Sequence, residues 1–430
     1  MSALSAERID ALLAQVRGAL GPGNPAELRG WLVPGRIEFL GKHTDYAGGR
    51  SLVCATEQGF CLLARPRDEP ELRIVDALTG DCAELALAPT IPIQSGSWMA
   101  YPTTVVRRLA RDFGPLRRGL ELAFASDLPR DAGLSSSAAL VIGVALAVAS
   151  VNGLEELPRW REAFLNREAL AGYLGAVENG KAFGDFPGDF GVGTLGGTQD
   201  HTAILCARPG KLCQYGFDPV RFEREIQFPT SYLLLVAVSG VAAAKNREAL
   251  GLYNARAEAV ATLLELWQHR TGRLDPTLHA AIASDAGARI RLAGFLAEHP
   301  DGERLRARLE QFAAECEEII PAVGDALQRG DFAGLGPLVD RSQTGAERGL
   351  ENQVAETIHL QRSARRLGAA AASAFGAGFG GSVWAMVAES QADSLRQDWE
   401  RDYLAAFPAR AQGARFFTTR PGPPVSGIPA

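Results

Sequence analysis

Lysine is nearly missing from this 430-residue chain: of its 44 basic residues only Lys42, Lys181, Lys211 and Lys245 are lysine, and the rest are arginine. Such a chain uses arginine wherever a surface cation suffices, so each lysine is either a survivor of composition bias or a position that requires one. Cysteine is scarce as well. Its six residues, Cys54, Cys61, Cys82, Cys206, Cys213 and Cys316, form no CxxC pair and no cluster with histidine at metal-ligand spacing. That argues against a disulfide framework or a cysteine-held metal and suits simple packing in a reducing compartment.

Long apolar runs are absent too. The most apolar stretch, Ala138 to Val151, falls short of the roughly 20 residues that span a bilayer and reads as a fully buried helix. The N-terminus has no basic and apolar leader pattern; instead Ile9, Leu12, Leu13, Val16 and Leu20 recur at helical spacing. No membrane association and a cytoplasmic location are therefore expected. With 44 basic against 50 acidic residues, a formal charge of -6 and no basic block, nucleic acid is not an expected partner. The chain also has no GxxxxGK[ST] loop, so a bound nucleotide would need a phosphate cradle of another kind.

What is present is 47% apolar residues, enough for a large core, and a length that suggests two domains. Strand-like runs (36–40, 52–64, 72–76, 120–125) alternate with helical ones (101–113, 134–150, 161–179) in the first half. A strand at 232–239 then precedes mostly helix (245–268, 303–328, 352–367), and late strands follow at 369–375, 382–387 and 415–419. The boundary is placed near 220–230, giving domains 1–225 and 226–430. The Pro/Gly-rich tail from Pro421 is expected to fray.

Three glycine-bearing motifs stand out. PGRIEFLGKHTDYAGG (34–49) packs Arg36, Glu38, Lys42, His43 and Asp45 where a strand turns into a loop. LPRDAGLSSSAA (128–139) ends a strand, turns at Gly133 and opens the apolar helix with Ser135, Ser136 and Ser137. Free N–H groups at such a helix start make an anion site, although three serines could equally serve only as caps. GAGFGG (376–381) joins two strands through four glycines, either as a tight hairpin or as a loop reaching a ligand held by the other domain.

In this order and spacing the motifs resemble the GHMP family of small-molecule kinases, and the first resembles the galactokinase signature GRxNxxGEHTDYxGG. The resemblance runs from about residue 31 to 388 and implies an α+β fold of two domains with the active site between them. The N-terminal domain would be like the second domain of ribosomal protein S5, and the C-terminal one a ferredoxin-like α/β sandwich. It implies ATP and Mg²⁺ as cofactors and a monosaccharide as acceptor. Residue by residue, Trp98 and Tyr101 would line the adenine pocket. Gly133, Leu134 and Ser135 to Ser137 would hold the triphosphate, with Gly378 approaching it from the other domain. Ser137 and Glu178 would hold Mg²⁺. Asp200 would accept the acceptor's proton or fix its hydroxyl, with Arg36 beside it, while His43, Asp45 and Tyr253 would grip the sugar.

Several positions depart from that pattern. Lys42 replaces the signature's glutamate, Glu38 stands where asparagine is usual, Asp131 occupies a glycine position that can need positive φ, and His201 replaces a glutamine. Lys42 could pair with Glu38 and leave the pocket little altered, or face the acceptor and select a uronic acid or another modified sugar. Galactose, yielding galactose 1-phosphate, is the leading acceptor. A non-catalytic sugar and ATP sensor is the alternative from another class. The seven-glycine segment between Glu178 and Asp200 is expected to be a flexible loop over the site, and Lys245 could open the helix that carries Tyr253.

Overall fold

A computed structural model describes residues 3–94, 96–242 and 247–428 of the chain, so Lys245 lies outside the described residues. Its strands are β1 (Arg29–Leu40), β2 (Arg50–Arg67), β3 (Glu71–Asp76), β4 (Cys82–Ala86), β5 (Gly119–Ser126), β6 (Lys211–Gly216), β7 (Arg221–Gln227), β8 (Tyr232–Ser239), β9 (Ala371–Phe375), β10 (Ser382–Ala388), β11 (Ala414–Thr419) and β12 (Ser426–Ile428). The first sheet runs β12-β1-β2-β5-β3-β4, with β6 pairing the start of β2 and β7 pairing β6. The second is β11-β8-β10-β9 and wholly antiparallel.

The apolar run identified in the sequence is the helix Ser136–Asn152, and it is apolar all round because it is covered all round. The first sheet lies on one side and the helices Ala100–Phe113 and Arg167–Asn179 lie on the others. Gly143 lets Leu62 of β2 come against the helix, where a Cβ would overlap the leucine side chain. Ile142 is fully buried there, and truncating such a side chain to alanine typically costs about 2–5 kcal/mol.

Strand alternation builds the second half. Leu233, Leu235 and Ala237 of β8, with Val383, Ala385 and Val387 of β10, face the helices Ala355–Arg366 and Ala392–Ala406 through Leu360, Leu395 and Trp399. The other face of the same strands, including Leu234, Val236, Trp384 and Met386, joins the core of the first sheet. Trp384 stacks on Phe39 of β1 with ring centroids 4.0 Å apart, so one continuous core supports both halves of the cleft described below. A separate helical layer, Arg247–Thr271 through Gly302–Ala313, covers the loop after β1.

Local chemistry accounts for most departures from the sequence-based outline. The helix expected over 161–179 is two helices, Pro158–Ala163 and Arg167–Asn179, because Asn166 caps the second by accepting from Ala169 N at 2.8 Å. The helix expected over 303–328 contains a π-helical turn, Ala314–Ile319, and is followed by a further helix, Phe332–Gly345, that tolerates Pro337 inside it. Residues 421–428 of the tail do not fray. Gly422 N donates to Ala55 O at 2.8 Å, Val425 is buried, and β12 adds an antiparallel edge to β1.

Candidate active site

β1 ends in the cleft, and its two-residue period puts Arg36 and Glu38 on the same face. The opposite wall is the start of the helix Ser136–Asn152, and the GAGFGG loop closes one end through Gly376 and Ala377. The cleft offers about 190 Å³. Ser135, Ser136 and Ser137 all line it, below a backbone held in the left-handed region at Asp131 (φ 54), Gly133 (φ 74) and Ser135 (φ 62). That turn aims the free N–H groups of the helix into the cleft.

Asp200, in the first turn of the helix Gln199–Cys206, is clamped from two sides. Arg36 Nε donates to its Oδ1 at 2.7 Å, and Ser135 Oγ donates to its Oδ2. Burial alone would raise the carboxyl's pKa, but the Arg36 charge and these hydrogen bonds outweigh it and hold it below its usual range. Arg36 also donates through Nη1 to Gly133 O and lies over the Phe375 ring, 5.8 Å from its centroid. One guanidinium therefore ties together β1, the serine turn, Asp200 and β9. Glu178 lines the same cleft, its Oε2 3.1 Å from His201 Nε2.

At the other end stand His43, Asp45 and Tyr253. His43 Nε2 lies 3.0 Å from the Ala377 carbonyl and so must carry the proton; Nδ1 then accepts from the Tyr46 hydroxyl at 2.9 Å. Burial, reinforced by the positive charges of Arg308, Arg256 and Lys42, pushes the imidazole down to about 3. The Tyr253 ring leans on it at 5.1 Å. Asp45 Oδ2 accepts from Gln199 N at 3.0 Å, and its pKa is raised by burial and by the nearby Asp200 charge. Gly197 passes so close to Asp45 that a Cβ would overlap its carboxylate, which explains the glycine there.

Lys42 corrects the outline. It is almost fully buried, is not part of the cleft lining, and its ammonium donates to Ser342 Oγ at 3.0 Å and Ser373 Oγ at 2.7 Å. Ser342 Oγ in turn donates to Glu315 Oε1 at 2.9 Å, which puts a carboxylate one hydroxyl away from the buried cation. The lysine thus neither hydrogen-bonds Glu38 nor reaches an acceptor; it fastens the loop after β1 to the helix Phe332–Gly345 and to β9. Its charge still acts on Glu38 through space.

Other expected residues separate into those in the cleft and those behind it. Tyr101 lines it, whereas Trp98 packs against Phe124, Leu134 is buried with its carbonyl accepting from Arg36 N, and Gly378 fits against Asn352. The seven-glycine segment is tied down rather than loose. Asn179 takes N–H from Gly196 at 2.8 Å and gives one to Gly197 O at 3.1 Å, Lys181 Nζ donates to Gly196 O at 2.8 Å, and Arg107 pairs with Asp189 at 2.7 Å.

Sequence reasoning missed the residues that carry the loop after β1. Gly41 N donates to Glu315 Oε1 at 2.8 Å, Gln311 Nε2 donates to Lys42 O at 3.4 Å, and Arg308 Nη2 donates to His43 O at 2.6 Å. Three buried polar residues at i, i+3 and i+7 of one helical run, amid apolar neighbours, were the available signal.

A helix start rich in serine, a carboxylate held below its usual pKa range and a polar opposite end suit phosphoryl transfer. The comparisons agree with that class. Residues 100–185 match the GHMP kinases N terminal domain, residues 325–405 the GHMP kinases C terminal domain, and residues 23–66 the galactokinase galactose-binding signature. The chain therefore matches the GHMP kinases in both of its halves. It is 27% identical over 371 residues to a galactokinase of Roseiflexus sp. strain RS-1, covering 86% of each chain. A galactokinase of Streptomyces coelicolor is 27% identical over 380 residues, covering 87% of this chain and 89% of that one. The fold is similar to Lactococcus lactis galactokinase complexed with galactose (TM-score 0.76, 22% identity, 99% of this chain and 100% of that one). A mevalonate kinase shares the fold at TM-score 0.54 and 16% identity, over 91% and 98% of the two chains.

Proposed function

We propose that this enzyme transfers the γ-phosphoryl group of ATP to galactose, giving galactose 1-phosphate. The observation that carries the reading is Asp200, clamped between Arg36 and Ser135 in the one cleft that also holds His43, Asp45 and Tyr253. In this reading residues 1–225 supply the sugar signature, the serine turn and Asp200, and residues 226–430 the GAGFGG loop. Because Lys42 turns away from the cleft, the reason for preferring an acidic sugar falls, and galactose stands ahead of a uronic acid.

Ser135 to Ser137 and the helix N-terminus receive the triphosphate, and Tyr101 borders the nucleotide side. Arg36 offsets negative charge as it develops on the transferring group. Asp200, with both oxygens already accepting hydrogen bonds, keeps lone pairs to orient the acceptor hydroxyl. The donor set fits Mg²⁺, since the Glu178 carboxylate and the Ser136 and Ser137 hydroxyls bring hard oxygens to the same cleft. Glu178 and Ser137 would hold the ion, which when bound neutralises phosphate charge. The six unpaired cysteines, five of them buried, support the cytoplasm as the site of action.

The test is coupled ATP turnover with Mg²⁺ against galactose, glucose, talose, fucose, N-acetylgalactosamine, galacturonate and glucuronate. Galactose should be the best acceptor. A preference for another sugar replaces galactose in the reading, and ATP binding without transfer to any sugar favours a sensor instead.

A further inference from the structure

Glu38 is a buried acidic residue of the cleft for which the mechanism above has no use. It is 3% exposed, stands on the same face of β1 as Arg36, and lines the cavity together with Arg36 and Asp200. Its Oε1 is buried with no hydrogen-bond partner. A buried carboxylate oxygen without a donor is costly unless some state of the protein supplies one. Ser51 Oγ donates to Gln199 Oε1 at 3.1 Å and so turns the amide nitrogen of Gln199 toward Glu38.

We propose that Glu38 receives the proton that leaves the acceptor hydroxyl during phosphoryl transfer, while Asp200 orients that hydroxyl. The two carboxylates occupy one cavity in opposite states. Asp200 already accepts from Arg36 and Ser135 and is a weak base; Glu38 Oε1 accepts from no donor. The groups facing Glu38 are Arg36 and Lys42 from its own strand and loop, and Asp200 and Gln199 from the helix Gln199–Cys206. Burial outweighs the two cations and raises Glu38 to about 7, where a general base works best near neutral pH. In the step, the acceptor O–H bond breaks as its oxygen bonds to the γ-phosphorus. The bond from that phosphorus to the β,γ-bridging oxygen breaks and its electron pair leaves with ADP. The proton goes to the Glu38 carboxylate and then to solvent once products depart.

The inference rests on the kinase reading, so the experiment separates the two. kcat and kcat/KM for galactose are measured from pH 5.5 to 9 at saturating Mg²⁺ and ATP, for the wild type, Glu38→Gln and Glu38→Asp, with ATP affinity and melting temperature recorded for each. We expect an acid limb centred near pH 7 in the wild type. Glu38→Gln should lose about 10²-fold in kcat together with that limb, with ATP affinity within threefold, and Glu38→Asp should recover the limb and part of the rate. If Glu38→Gln does not fold, Glu38→Asn and Glu38→Asp carry the same comparison. Unchanged kcat, or a slowed variant that keeps the acid limb, overturns the role of Glu38 alone. A wild type that phosphorylates no sugar overturns the kinase reading and this inference with it.

Discussion

Arg36 and Asp200 are 164 residues apart in the chain, yet Arg36 Nε lies 2.7 Å from Asp200 Oδ1. The pair brings the first sheet and the helix after the seven-glycine segment to one point. Asp200→Asn keeps the shape but loses the charge that orients the acceptor, and kcat should fall by roughly 10²-fold or more while ATP affinity changes little. Steady-state kinetics beside ATP titration checks this.

Arg36→Lys is not conservative here. A lysine has one nitrogen, whereas Arg36 uses Nε for Asp200, Nη1 for the Gly133 carbonyl and its plane against Phe375. The variant should lose kcat on the same roughly 10²-fold scale as Asp200→Asn. The double variant should lose much less than the product of the two, since each single change already breaks the pair. A double-mutant cycle on kcat/KM reads the coupling.

Lys42→Glu should damage stability and leave acceptor choice alone. The new carboxylate would be buried near Glu315 with the ammonium that faced Ser342 and Ser373 gone, a change that costs about 3–5 kcal/mol for a broken buried pair. Thermal melting should show the loss. Whatever fraction stays folded should rank the sugar panel as the wild type does; a switch of preferred sugar would contradict the placement of Lys42.

Stability should respond to pH through two groups of opposite sign. Glu38 is raised from 4.5 to about 7 on folding, so the folded state binds the extra proton and stability falls as pH rises through that window, by about 3 kcal/mol for the full shift. His43 is lowered from 6.5 to about 3, so its contribution is present above pH 6.5 and is lost as pH falls toward 3. Between 4.5 and 6.5 the two oppose each other. Glu38→Gln should therefore raise the melting temperature at pH 8 relative to pH 5, and His43→Gln should do the reverse.

Arg308→Ala removes the support under His43 without touching the cleft lining. It should raise KM for galactose several-fold and leave ATP affinity near the wild-type value, because the Arg308 guanidinium holds the His43 carbonyl and the Tyr46 hydroxyl rather than anything on the nucleotide side. Isothermal titration with each ligand separates the two effects.

Much of this site was legible in the chain because its parts are local. A glycine turn, three serines and an apolar run announce an anion-binding helix start from adjacent residues alone, and GRIEFLGKHTDY announces a charged loop after a strand. The tail from Pro421 misled because its pairing with β1 joins residues at opposite ends of the chain, and composition carries no trace of a partner that distant. The seven-glycine segment misled for a different reason: Asn179 and Lys181, which hold it, stand at its own start but look like any polar residues in a row.

Lys42 and Glu38 mark where local reading stops. Four residues apart, both charged and both departures from the galactokinase signature, they invited pairing with each other or with an acceptor. Chain order could place them near the cleft and assign the class of chemistry done there. Only packing could turn the ammonium toward Ser342 and Ser373 and leave the carboxylate oxygen without a donor, because the direction of a buried side chain follows from which distant groups satisfy its charge.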